Sequence, residues 1–359
     1  MELRAADRHR PTLVLSGEMI ITGGVNSTFI LNGCVITSNA TPAQPAPLAL
    51  VRVPAGSTNQ LSTLEITHCT LVPGWVLTPS GGPRYSGQPT LVVEPSGVQV
   101  SIAKSIVGGI RAQELATVSV ADSVVDANAL TSVAYAALDD AGGGGALTLQ
   151  GCTVVGKVHA TLMSLVSNSI LWAASATADN WAGPLWADRK QAGCVRYSYL
   201  PAGSVTPRRF ACVAQGYGTH LPSWSASTSV VVGHVILATP SSVSISAVYR
   251  CTISGTTGSS APSFPAPTGA VVTDGTVTWQ NVGVPGSTPG PLFESLRYGD
   301  PGYEKLLAQT DDSIRRGADD GGEMGAFHFV LAPQRETDLR VRLQEYLPVG
   351  LEFGVFYAT

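Results

Sequence analysis

Charge is scarce in this chain: only 13% of its 359 residues are Asp, Glu, Lys or Arg, and 7% are aromatic. So little charge is poor material for long amphipathic helices, whose solvent faces need it. Basic residues are never denser than in "DRHR" or "PRRF", and the formal net charge is −4. Phosphate binding needs a concentrated positive face, so nucleic acid is not an expected partner. No run approaches the roughly 18 apolar residues of a membrane span, and "MELRAADRHRPTLVLSG" carries charges where a signal peptide needs an apolar stretch. The expectation is a protein made in the cytoplasm without its own export signal or membrane insertion, acting outside only if something carries it there. Six cysteines are too few for a disulfide framework, and no CxxC or CxxH spacing suggests zinc. Cys34, Cys69 and Cys152 fall inside strand patterns and read as buried free thiols. Cys194 and Cys212 could stack as neighbours.

What the chain has instead is glycine, proline and repetition: 39 Gly and 24 Pro punctuate a sequence that is 44% hydrophobic. The copies are "FILNGCVIT", "LEITHCTLV", "VSIAKSIVG", "VSVADSVVD", "LTLQGCTVV" and "MSLVSNSIL". Each alternates with period two and then places a small residue before another apolar pair. Aligned on that residue they give Cys34, Cys69, Ser105, Ser123, Cys152 and Asn168, at spacings of 35, 36, 18, 29 and 16. Spacings of about 17, or double that, suit one or two turns of a stacked coil. The predicted fold is all-β: a right-handed parallel β-helix over 1–215, with the small residues forming an internal ladder at about 4.8 Å per coil. Insertions such as "TSNATPAQPAP" and "LTPSGGPRYSGQP" read as loops thrown out at the corners.

The ladder position is a packing requirement, since no member has a His and an acid at fitting positions for nucleophilic chemistry. The residue before it turns outward, and Lys104, Arg111, Asp122 and Asp126 are expected to share an outer face, with Lys157 and His159 nearby. Paired carboxylates with basic neighbours can do acid/base work on a glycosidic bond, whereas charges on the outside of a rod are ordinarily just solvated.

After "FACVAQGYGTH" the pattern breaks, and 222–284 reads as a separate small β-unit with a turn at "TDG" before the strand "TVTW". Its "GHVI", "VYRCTISGTTGSSAPSFP" and "VVTDGTVTWQNVG" resemble the small carbohydrate-binding-type modules of phage tail and chitinase-associated proteins. His234 stands where that family has Asp, and Phe264 where it often has Trp. The resemblance implies sugar stacking on Trp224, Tyr249, Phe264 and Trp279; core packing of the same aromatics is the alternative.

The remainder, 285–359, should return to the β-helix and close it. "TDLRVRLQEYL" predicts a short amphipathic helix with Thr337 as N-cap and Leu339, Leu343 and Leu347 on one face. With the strand "LEFGVFYAT" it would cap the solenoid or dock another subunit. "GADDGGEMGAFHF" gathers Asp319, Asp320, Glu323 and His328, either as a metal or catalytic site or as a tight turn whose acids bond local N–H groups. No cofactor is indicated.

"HCTLVPG", "SIVGGIR", "DSVVDA", "CTVVGKV", "GCVRYSYLP", "PRRFAC", "RYGDPGY" and "DDGGEMGAFH" together resemble bacterial β-helix proteins encoded beside phage-tail-like contractile injection particles. That resemblance implies a fibre, spike or baseplate-associated component with particle subunits as partners, and carries no assigned catalytic residue. The chain enters a solenoid-like strand at once, so attachment is expected through a longer chain or through the tail. Three functions follow: adhesion to a surface polysaccharide or other glycan, cleavage of such a polymer by a lyase or hydrolase, or an inert scaffold. A monomer and the homotrimer common among spikes are both open.

Overall fold

The computed structural model describes all residues except 42–47, 176–179, 215–220, 245, 268, 284–289, 349–353 and 355–359. Three parallel sheets are stacked coil upon coil, two of nine strands and one of seven, and each strand pairs with its equivalent one coil away. This is a parallel β-helix. The first sheet runs from Glu2–Arg4 through Leu61–Thr67, Gln99–Ala103, Thr117–Ala121 and Ala146–Gln150 to Arg208–Phe210. The second runs from Thr12–Leu15 to Val213–Ala214, and the third from Met19–Ile20 to Leu185–Ala187.

Period-two alternation fixes the first sheet's inner face. Leu31, Ile66, Ile102, Val120, Leu149, Val166 and Val195 form one unbroken buried column. Such a column is the core of the rod, where truncation of any member to Ala costs about 2–5 kcal/mol. The opposite face is polar along its middle, with Glu65, Ser101, Ser119 and Thr148, between Ile30 and Leu165.

The corner from the first to the second sheet takes two residues in almost every coil. Its first residue has left-handed backbone: Gly33, His68, Lys104, Asp122, Gly151, Asn168, Tyr197 and Ala211 all have φ between 46° and 80°. The second is the ladder residue. Ser105, Ser123, Ser169 and Ser198 each donate from Oγ to the carbonyl two residues earlier (2.6–2.8 Å). The same oxygens accept the ladder N–H of the preceding coil: Cys69 to Ser105, Ser105 to Ser123, Cys152 to Ser169 and Ser169 to Ser198, at 3.0–3.1 Å. A buried amide that the sheet ladder cannot reach is thus satisfied by a side chain. Cysteine fills the same role, with Cys152 Sγ 3.3 Å from the Gln150 carbonyl.

The last ladder member differs from expectation. Leu147 pairs with Met163, but Thr148 then pairs with Leu165, so a bulge shifts the register by one residue. Ser169 therefore occupies the ladder, and Asn168 is the left-handed residue before it. Cys194 is likewise not stacked on Cys212: it faces Arg208 in the first sheet, and all six cysteines are free. Cys34, Cys69 and Cys152 are buried as expected.

The small unit after the solenoid is a four-stranded antiparallel sheet of Val235–Ala238, Ala247–Ile253, Val277–Gly283 and Val271–Asp274. The "TDG" turn is a two-residue hairpin connection in which Asp274 pairs with Val277 and Gly275 takes φ +61°. Arg250 ties this unit to the rod by donating to the Gly203 carbonyl (3.3 Å).

The segment from Gly290 to Leu331 lies along the outer face of the second sheet. That sheet's outward column, Ile106, Val124, Thr153, Ile170, Tyr199 and Val213, is almost wholly apolar and needs a cover. Tyr298, Tyr303, Leu306, Ile314, Met324, Ala326 and Phe327 supply it. A helix follows at Ala332–Tyr346, six residues earlier than Thr337 as N-cap would start it. Thr337 lies inside it, bonding the Pro333 carbonyl (2.9 Å). Pro333 at the first turn sets the start, because its fixed φ suits that position and its missing N–H costs nothing there. Leu339 is 47% exposed, so the helix does not bury an apolar stripe. The strand expected from "LEFGVFYAT" lies outside the described residues.

Candidate functional site

The outer face of the third sheet carries a row of fixed charges. Strand register aligns Arg52, Val92 and Arg111 with Ala136, and His159 with Trp186, all pointing away from the core. Their neighbours Val51, Leu91, Ile110, Tyr135, Val158 and Leu185 point inward and are at most 2% exposed. Arg52 to Trp186 is five coil steps of about 4.8 Å, roughly 24 Å along the rod.

Both arginines in this row are held by acids from neighbouring loops, and the His159 ring faces a third acid. Arg52 bridges Glu94 (2.6 Å) and Glu18 (3.3 Å), and Glu94 above all holds its guanidinium more basic than usual. Arg111 is 3% exposed. It bonds Asp140 through Nε and donates to the carbonyls of Ile110 (3.2 Å) and Val133 (3.1 Å). Burial lowers its pKa and Asp140 opposes that shift, so the pair is needed for the charge to stay buried. His159 faces the Ala141 carbonyl through Nδ1 (2.8 Å) and Asp188 through Nε2 (2.9 Å). Its ring stacks on Trp186 at 3.9 Å and 6°, with Trp181 edge-on at 5.3 Å and Lys157 Nζ 4.7 Å from the Trp181 ring.

Leu48, Gln88, Pro89, Val92, Glu94, Arg111, Leu138 and Asp140 enclose a groove of about 200 Å³ in this face. Its walls are corner loops, while its floor is sheet. Carboxylates pinned by Arg52 and Arg111 present fixed hydrogen-bond acceptors, and the partly exposed indole of Trp186 lies three coils beyond Arg111: together these suit a polyhydroxylated ligand.

The four residues expected to share a catalytic face do not. Lys104 and Asp122 are consecutive left-handed corner residues on one edge of the rod, whereas Arg111 lies in the third sheet and Asp126 in the second. Asp126 is 2% exposed beneath Tyr303, whose hydroxyl donates to it (2.6 Å), so no polymer can reach it. Burial pushes its carboxyl up despite that bond and the Asn128 N–H. Lys157 and His159 join the third-sheet face with Arg111, which is the part of the expected cluster that does assemble.

The four aromatics expected to stack on sugar are also relocated. Tyr249, Phe264 and Trp279 are 0%, 5% and 1% exposed and form the core of the small unit. Trp224 is half-buried against them, donating from Nε1 to Asp274 (2.7 Å). Asp274 also accepts from Trp279 Nε1 (3.0 Å) and the Gly258 N–H (2.8 Å), so it organises this core rather than a ligand. A unit this small spends its aromatics on its own stability.

Of the acids near residue 320, Asp319, Asp320 and His328 bring ligand atoms within 4.8 Å of one another. Asp320 accepts from the Gly322 N–H (2.8 Å), the local bonding of a tight turn, whereas Asp319 accepts from Asn168 Nδ2 (2.7 Å) and so ties the turn to a solenoid corner. Glu323 stands apart from them: it is 7% exposed. Burial pushes its carboxyl up to about 7, against Arg315, His328 and Lys305.

Comparison with protein-family models, with curated proteins and with solved structures finds no match for this chain.

Proposed function

We propose that this protein is a structural adhesion component that holds a surface glycan along the outer face of its third sheet. The observation that carries the reading is the groove over Val92 and Arg111, continued by the row to Trp186, on a rod whose backbone is already fixed. Binding to a rigid face loses little conformational entropy, so modest contacts suffice, and several copies on one particle would multiply them. The motif resemblance extends the proposal to a fibre, spike or baseplate-associated subunit of a phage-tail-like particle.

The test is affinity electrophoresis of the purified protein through gels containing bacterial surface polysaccharides, with polymer length measured afterwards. Gln88→Ala in the groove wall and Trp186→Ala at the far end should each weaken retention about tenfold, the size of one good contact. Polymer length should not change. Absence of retention by every polymer, or equal retention by both variants, would refute the assignment; shortening of a polymer would make the face catalytic instead.

A further inference from the structure

The cover over the second sheet contains a group badly suited to where it sits. Glu304 is 1% exposed, and neither of its carboxylate oxygens has a hydrogen-bond partner. Its backbone is left-handed, φ +52°, a conformation that side-chain-bearing residues adopt at a cost. It follows Tyr303, whose single hydroxyl hydrogen goes to Asp126 on the solenoid.

Among the described residues, the titratable groups acting on Glu304 are Asp126 from the second sheet and Tyr303 from its own segment. No cation offsets them. Lys305 bonds Glu294 (2.6 Å) and Arg297 bonds Asp300 (2.7 Å), both at exposed positions of the cover. Arg10, from the solenoid side, donates to Thr70 and bears on Tyr298, which stands edge-on to Tyr303 at 5.6 Å.

We infer that residues 292–310 are an acid-stabilised latch, seated on the second sheet while Glu304 keeps its proton and loosened when that proton is lost. An ionised carboxylate without a partner cannot remain in such a place, because burial removes its hydration and Asp126 repels it. Desolvation first, and Asp126 second, hold the Glu304 carboxyl well above its usual range, with the Tyr303 hydroxyl pulling the other way. The seated segment therefore keeps a proton that the free segment gives up above about pH 4.3. The grip is strongest below that pH and weakens as pH rises, by up to about tenfold per pH unit while the seated acid stays neutral. Release would uncover Val124, Ile170 and Tyr199, an apolar strip otherwise at most 4% exposed.

The experiment is amide hydrogen exchange of residues 292–310 between pH 5 and 9, expressed as protection relative to the unfolded chain at each pH. Wild-type protection should fall steadily, whereas Glu304→Gln, neutral at every pH, should stay nearly level and exceed wild type at least tenfold at pH 8. Asp126→Asn, which removes the repelling charge and keeps an acceptor for Tyr303, should flatten the wild-type slope in part. Parallel pH profiles for wild type and Glu304→Gln would overturn the latch. Should Glu304→Gln not fold, a pH-independent wild-type protection would overturn it equally.

Discussion

Replacing Ser123 by alanine should cost about 2–4 kcal/mol of folding stability, although it removes a single oxygen. Ser123 is 1% exposed. Its Oγ accepts the Ser105 N–H (3.0 Å) and donates to the Ala121 carbonyl (2.6 Å). That carbonyl keeps a second donor, the Lys104 N–H (3.1 Å), so its loss is small. The Ser105 amide keeps nothing. One hydrogen bond of about 1 kcal/mol is lost, and a buried donor is left unsatisfied at about 1–3 kcal/mol, which together set the range. Ser123→Cys should cost less than about 1 kcal/mol, because thiols fill the same position at Cys69 and Cys152, where neighbouring N–H groups pull against the burial that raises each thiol. Urea denaturation followed by circular dichroism gives both values. A loss below 0.5 kcal/mol for Ser123→Ala, or equal losses for the two variants, would mean that the ladder is shape filling and not amide satisfaction.

Asp274→Ala strips the acceptor from Trp224, Trp279 and Gly258, and should unfold the small unit while leaving the β-helix intact. Tryptophan fluorescence against far-ultraviolet circular dichroism separates the two. For Glu323, whose pKa in the folded protein is about 7, the native state keeps a proton that the unfolded chain loses near pH 4.3. Its contribution is therefore fully present below that pH and is lost as pH rises through about 7. Glu323→Gln should match wild type near pH 4 and be the more stable at pH 8 in thermal unfolding; a variant less stable at pH 8 would reverse the sign.

The rod was legible because its physics repeats. Ile66, Ile102, Val120 and Leu149 recur at matching places relative to a small residue, and only stacked coils make such agreement useful. Where one residue is inserted, at Ser164, the pattern still matches at Met163 and then misleads by one place, because sequence alignment has no view of a bulge. The cover over the second sheet also left a trace: "SIVG", "SVVDA" and "SILW" are apolar at successive positions, as strands buried on both faces are. The third-sheet groove left almost none. Arg111 and Asp140 are 29 residues apart, and their meeting depends on coil length rather than on any local motif. The aromatics of the small unit misled for the opposite reason, since a sugar platform and a minimal core draw on the same residue types.

After the first coil, the corner between the first and second sheets closes in two residues, one left-handed and one bonded to the next coil. It has no room for extra length. Insertions such as 72–88 and 137–145 fall instead at the other two corners, which border the third sheet. A change in chain length therefore alters the margins of that one face and leaves the spine untouched, so the face can be reshaped without the rod becoming any less stiff.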